Sequence, residues 1–171
     1  MTSTTLSLIA QILAVGVFAT VIMDLWTLLL RHLFGVMPLD YALVGRWLGH
    51  MGAGQFAHAG IGRSPPVRGE KALGWAAHYV IGVVFAAGLI LASGEVWLQS
   101  PALGPALAFG LITVVLPFFV MQPAFGAGIA ASKTPKPTQA RVRSLITHGV
   151  FGLGLYAGGW LANVVQRALT G

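Results

Sequence analysis

Four long apolar runs limit what this chain can fold into. They cover approximately residues 6–30, 72–92, 103–131 and 145–165, and each is long enough to cross a bilayer as a helix, which takes roughly 20 residues. Only 8% of the 171 residues are Asp, Glu, Lys or Arg, against about a quarter in soluble domains. So few charges cannot cover a soluble core. We therefore predict an all-α membrane protein with four transmembrane helices in a bundle, forming a single domain over 1–171.

Two local patterns refine this prediction. The third run contains Pro117 and Pro123, each of which removes a helical hydrogen bond, so a kinked or broken helix is expected there. In the loop between the first two runs, apolar residues recur at helical spacing over 41–51, Asp40 can cap the start and Gly52 can end the helix. We predict a short amphipathic helix at the membrane interface in this loop.

The positions of the basic residues predict the orientation. Five Lys or Arg lie between the first two runs, four lie between the third and fourth, and one, Arg167, follows the last. By the positive-inside bias, the first and third loops are cytoplasmic and both termini face outside. The net charge of +6 is then expected to contact anionic lipid headgroups. Nucleic acid is not expected as a partner, because no aromatic platforms are interleaved with the basic residues.

A few polar residues inside the runs are candidates for a functional site. Asp24 on the first span, His78 on the second and His148 on the fourth lie at similar distances from the predicted cytoplasmic ends. Met121 and Gln122 on the third span lie slightly deeper. Ionisable groups in hydrocarbon usually face the bundle interior and pair with one another. These five residues therefore predict one intramembrane polar layer.

Segments 78–88 and 148–158 share His, Val, Gly, Ala and Gly at equal spacing. This match indicates a tandem duplication in which the second and fourth spans are equivalent. Glycines near both histidines, such as Gly82, Gly152 and Gly154, are expected to allow close helix packing.

Six blocks carry a resemblance to a known family: MDLW at 23–26, YALVGRW at 41–47, PV at 66–67, GWAAHY at 74–79, MQP at 121–123 and RSLITH at 143–148. With these blocks the chain resembles a family of small bacterial integral-membrane proteins designated domain of unknown function 2938. The resemblance covers nearly the whole chain. It implies a multi-pass protein of the bacterial inner membrane, and it transfers no catalytic residue.

Three functions remain open. The first is a structural or accessory membrane component whose polar layer holds the bundle, with a homodimer or a membrane-complex subunit as partner. The second is a proton- or cation-coupled small transporter that uses the same layer. The third is a b-type haem or metal protein with His78 and His148 as ligands, although no cofactor is required by the sequence.

Two other interpretations are weaker. An enzyme is disfavoured, since no serine or cysteine nucleophile is paired with a base. His50 and His58 are too far apart to be neighbouring helical ligands, so we interpret them as solvated loop residues rather than a metal site.

Overall fold

The computed structural model describes residues 3–170, which form helices and loops without a strand. In chain order the α-helices are α1 (Ser3–Phe34), α2 (Tyr41–Met51), α3 (Glu70–Ser93), α4 (Val96–Gln99), α5 (Leu103–Ile112), α6 (Gln122–Ala124) and α7 (Pro137–Thr170). Single 3₁₀ turns lie in the loops at Ile61–Arg63 and Ile129–Ala131. Four segments are long and apolar enough to cross a membrane: Thr5–Phe34, Glu70–Ser93, Leu103–Ala124 and Pro137–Leu169. The predicted all-α fold with four spans is confirmed.

The third span is interrupted, as its prolines predict, but it is shorter than expected. The chain leaves α5, makes a π-helical turn at Pro117–Met121 and ends the span with α6 at Ala124, instead of continuing to residue 131. Pro117 has no amide hydrogen and its ring clashes with a regular preceding turn, which accounts for the irregular segment. Beyond α6, Gly126 has φ 86°, and a Cβ there would lie 2.5 Å from the Ala59 carbonyl oxygen. The span therefore ends against the first loop.

The fourth span begins earlier than predicted, at Pro137 rather than near residue 145. Proline is favoured in the first turn of a helix because its missing amide hydrogen would have no partner there. Arg141 and Arg143, expected in the preceding loop, consequently lie on the first turns of α7.

The spans pack in the order α3, α1, α7 and third span, with small residues at the contacts. Gly82 of α3 lies against Gly16 of α1, and Gly154 of α7 lies against Ala19 of α1. Because lipid tails are as apolar as the helices, such close van der Waals packing is a main source of association between spans. The predicted close packing at these glycines is confirmed.

The helix α2 forms where the amphipathic pattern predicts it. The Asp40 carboxylate caps it by accepting a hydrogen bond from the Ala42 backbone N–H at 3.0 Å. Its buried face crosses the start of α3, where a Cβ on Gly45 or Gly74 would collide with the backbone of the other helix. We call the end of the bundle that carries α2, the C-terminus of α1 and the N-termini of α3 and α7 the α2 end.

Candidate functional site

A hydrogen-bonded cluster surrounds the Asp24 carboxylate of α1. Its Oδ1 lies 2.9 Å from His78 Nε2 of α3, and its Oδ2 accepts a hydrogen bond from the Tyr79 hydroxyl at 3.0 Å. The Tyr41 hydroxyl of α2 lies 3.0 Å from the same His78 nitrogen. The side chains of Asp24 and His78 are only 13% and 12% exposed. We call these four residues the Asp24 cluster, which joins three helices.

Tyr41 closes the Asp24 cluster from α2. Its ring stacks on the His78 imidazole with centroids 4.2 Å apart. Burial raises the pKa of the Tyr41 phenol above its ordinary value of 10.0, and the nearby Asp24 carboxylate raises it further. Tyr41 therefore keeps its hydrogen at neutral pH and can donate it within the cluster.

His148 of α7 has a different partner. Its Nδ1 lies 2.8 Å from Thr113 Oγ1, and the Thr113 hydroxyl donates to the Gly110 carbonyl oxygen at 2.6 Å. Because that hydroxyl hydrogen is already engaged, His148 Nδ1 carries a hydrogen and donates it to Thr113. In the neutral ring Nε2 then presents a lone pair, and no residue within 3–170 forms a hydrogen bond with it.

The structure brings some of the five residues expected to form one layer into direct contact and not others. Asp24 and His78 contact each other, whereas His148 is held within the second half of the chain. Met121 and Gln122 lie on either side of the boundary between the π-helical turn and α6 and form part of a cavity wall. The Gln122 Oε1 is buried, and it has no hydrogen-bond partner in the described part of the chain.

Two adjoining cavities lie beside the Asp24 cluster. The inner cavity, about 300 Å³, is lined mainly by apolar side chains, with Tyr41, His78 and His148 among its few polar ones. The outer cavity, about 280 Å³, lies toward the α2 end and is bordered by Arg143 and several uncharged polar side chains. Tyr41 and His148 line both cavities, whereas Asp24 lines neither. The inner and outer cavities thus form one two-part space that reaches the histidines but not the carboxylate.

Corresponding contacts recur in the two halves of the chain. Gly82, four residues after His78, lies against α1, and Gly152, four residues after His148, lies against α5. Each histidine also bonds to the span that precedes it, to a carboxylate in the first half and to a hydroxyl in the second. These contacts agree with an internal repeat in which the polar partner of the histidine differs.

The structure also joins two histidines of the first loop region. His50 Nδ1 of α2 lies 2.8 Å from His58 Nε2, and His58 is only 7% exposed. The prediction that both are solvated loop residues is therefore wrong. The loop folds back because the His58 backbone N–H donates to the Ala124 carbonyl oxygen and Trp47 Nε1 donates to the Phe56 carbonyl oxygen, both at 2.8 Å.

An ion pair holds α2 to the start of α3. Two guanidinium N–H groups of Arg46 donate to the two Glu70 carboxylate oxygens at 2.7 and 2.8 Å. The carboxylate raises the pKa of Arg46, and the guanidinium also donates to the Ser64 carbonyl oxygen at 3.0 Å. Arg46 thus fixes the first loop over α2.

Sequence reasoning missed the partners supplied by Tyr79, Thr113 and Tyr41. Successive residues on a helix point about 100° apart. A helix orientation that directs His78 toward Asp24 therefore does not show that the next residue, Tyr79, also reaches Asp24. The apolar pattern assigns Tyr41 to the buried face of α2 but leaves the partner of its hydroxyl open. A usable signal was available, because a buried tyrosine usually needs a hydrogen-bond partner.

A family model described as "Protein of unknown function (DUF2938)" matches residues 13–162. No curated protein and no solved structure shows significant similarity to the chain. The matched range includes the Asp24 cluster, His148 and the linings of both cavities. Since the match covers most of the 171 residues, the chain belongs to the DUF2938 family of proteins of unknown function.

Proposed function

We propose that this protein is a non-catalytic accessory component of the bacterial inner membrane, with the α2 end in the cytoplasm and both termini on the other side. Five Lys or Arg lie around the connection from α1 to α3 and four around the connection into α7, which leaves only Arg167 at the opposite end. The positive-inside bias supports this orientation. The basic α2 end would contact anionic headgroups, and another membrane subunit or a second copy of the chain would be the partner.

The proposal rests on the observation that the Asp24 carboxylate is fully hydrogen-bonded within the chain. Both carboxylate oxygens have partners within the chain, and Asp24 borders neither cavity. An acidic residue that exchanges an ion or a proton during transport is expected to border a water-filled path. A closed network between α1 and α3 instead supports a role in selecting which spans pack together.

Proton uptake into proteoliposomes tests this role. Wild type and Asp24→Asn are reconstituted, and an internal pH dye is followed while a membrane potential is imposed. The accessory role predicts uptake no faster than in empty vesicles for both proteins, together with a lower yield of monodisperse Asp24→Asn. Asp40→Asn is the matched control, because the same substitution falls on the exposed cap of α2. Uptake that depends on Asp24 would contradict the accessory role.

A proton- or cation-coupled small transporter is the second candidate. Two observations favour it: His78 both lines the inner cavity and contacts Asp24, and the third span is irregular at Pro117–Met121 beside that cavity. Broken spans next to a central site are common in transporters. Here a proton would reach Asp24 through His78, so uptake would be lost in His78→Gln while the protein remained monodisperse.

A b-type haem or metal ion bound by His78 and His148 is the third candidate. The ring nitrogens of the two histidines support it less well than the contacts above support the first two candidates. His148 fits a ligand, because Nδ1 donates to Thr113 and Nε2 has no hydrogen-bond partner among residues 3–170. His78 instead directs Nε2 toward Asp24 and Tyr41, so the two rings do not offer matching Nε2 lone pairs to one metal. An absorption spectrum with elemental analysis tests this candidate: a Soret band that is lost in His148→Ala would establish it.

A further inference from the structure

We propose that the inner and outer cavities together bind an anionic phospholipid whose headgroup carries hydroxyl groups. One acyl chain lies in the inner cavity, and the phosphate lies in the outer cavity against Arg143. The proposal rests on the linings of the cavities and does not depend on the accessory role of the Asp24 cluster.

The inner cavity has the size and lining of an acyl-chain site. Its volume of about 300 Å³ lies at the lower end of the range for small-molecule pockets, about 300–1,000 Å³. Ile81 of α3 and Leu116 and Val120 of the third span border it and are 42%, 45% and 48% exposed. The cavity therefore opens on the apolar side of the bundle between α3 and the third span, where an acyl chain of the bilayer can enter directly.

The outer cavity has the chemistry of an anionic headgroup site. Within the described part of the chain, Arg143 is its one charged lining residue, and no acidic side chain lines it. One Arg143 N–H donates to the Met37 carbonyl oxygen at 2.8 Å, which orients the guanidinium and leaves its other N–H groups for a ligand. Ser144 and Thr147 line the same space, and their hydroxyl groups can also donate to a phosphate. Arginine is well suited to phosphate because its planar N–H groups can bind two oxygens together.

Two residues of the cavity walls carry acceptor atoms that a headgroup with hydroxyl groups can use. Gln122 lines the outer cavity, and its Oε1 is buried without a partner among residues 3–170. His148 lines both cavities, and no residue among 3–170 forms a hydrogen bond with its Nε2. Leaving the buried Gln122 Oε1 without a donor is costly. The hydroxyl groups of a glycerol headgroup would satisfy these acceptors, in the case of Gln122 after a rotation of the buried side-chain amide, whereas a choline headgroup has no N–H or O–H to donate.

Native mass spectrometry of the delipidated full chain in detergent tests the site, with single-chain lysophosphatidylglycerol as the probe. We expect one saturable adduct per chain. Arg143→Gln should weaken binding about tenfold through loss of a charge-assisted contact. Arg141→Gln is the matched control: this neighbouring arginine of α7 donates to the Ala130 carbonyl oxygen and lines neither cavity, so its loss should leave the affinity unchanged.

Two further measurements test the acyl-chain site and the headgroup site separately. Val120→Trp places a large ring at the opening of the inner cavity and should weaken binding. Val120 is 48% exposed, and a monodisperse elution profile with wild-type helicity checks that the variant is folded. Lysophosphatidylcholine with the same acyl chain keeps the phosphate but has no headgroup hydroxyl and no net charge, so it should bind wild type about tenfold more weakly. Glycerol phosphate without an acyl chain should not compete.

Each arm has an outcome that overturns the proposal. Equal affinities of Arg143→Gln and Arg141→Gln, or of the two lysolipids for wild type, would exclude headgroup recognition in the outer cavity. Unchanged binding to Val120→Trp would exclude an acyl chain in the inner cavity. Competition by glycerol phosphate would identify a site for a soluble anion, and many equivalent adducts would identify unspecific annular lipid.

Discussion

Replacing Asp24 by Asn should destabilise the bundle measurably, because the carboxylate is the shared acceptor of two side chains from α3. Asn keeps the size of the side chain but loses the charge, and it turns one acceptor oxygen into a donor. The altered contacts are the 2.9 Å contact with His78 and the 3.0 Å hydrogen bond from Tyr79.

The magnitude can be bracketed from these two contacts. Interhelical hydrogen bonds inside membranes average about 0.6 kcal/mol, so two of them give a lower limit of about 1 kcal/mol. Breaking a buried charged pair in a protein interior costs about 3–5 kcal/mol, which sets the upper limit. The Asp24 and His78 side chains are 13% and 12% exposed, which is close to buried. We therefore expect the free energy of unfolding to fall by about 2 kcal/mol.

Unfolding in mixed micelles with an increasing fraction of dodecyl sulfate, followed by far-UV circular dichroism, measures this change. Asp40→Asn is the control, and it should lower the free energy of unfolding by less than about 0.5 kcal/mol, because Asn caps a helix nearly as well as Asp. Tyr79→Phe should cost about 1 kcal/mol alone and less when combined with Asp24→Asn, since both remove the same bond. Equal stability of Asp24→Asn and Asp40→Asn would refute the structural role assigned to the cluster.

Three further substitutions test other contacts. Gly74→Ala places a methyl group against the Tyr41 carbonyl, so trypsin should cleave the first loop faster, whereas Gly62→Ala, which adds a Cβ in open space, should not change the rate. Thr113→Val removes the acceptor of the His148 Nδ1–H and should lower the free energy of unfolding in mixed micelles by about 1–2 kcal/mol. Since the folded-state pKa of Tyr41 is raised above 10.0, its contribution is complete below pH 10 and is lost as the pH rises above that value; Tyr41→Phe should therefore show a smaller loss of stability above pH 10 than wild type.

The four spans could be predicted because the cost of placing charge in hydrocarbon leaves long uncharged runs in the sequence. The ends of the spans were harder to predict. Pro117 and Pro123 indicate an interruption, but the residue at which the third span stops also depends on Gly126, which lies against the Ala59 carbonyl oxygen of a distant loop. In the same way, a hydropathy run cannot show that a polar segment such as 137–144 continues as helix from Pro137.

The sequence predicts the position of each candidate residue along its helix, but not the rotation of the helix about its axis. Counting residues from the basic loops places Asp24, His78 and His148 at similar depth. Depth alone does not fix rotation, and α7 packs against both α1 and α5, so His148 could face either. It faces the third span and bonds to Thr113. The contact between His50 and His58 could not be predicted either, because it depends on how the loop after α2 folds back onto the bundle.

His78 and His148 occupy equivalent positions in the two halves of the chain but have different partners, which indicates different roles for the two halves. In the first half, His78 Nε2 is engaged by Asp24 and Tyr41, so its polar contacts join α1, α2 and α3. In the second half, His148 is oriented through Nδ1, which leaves Nε2 beside the cavities. Loss of the carboxylate should therefore change the free energy of unfolding more than lipid binding, and loss of Arg143 should do the reverse. One pair of variants measured in both assays would show whether bundle stability and the cavity are separable properties of this fold.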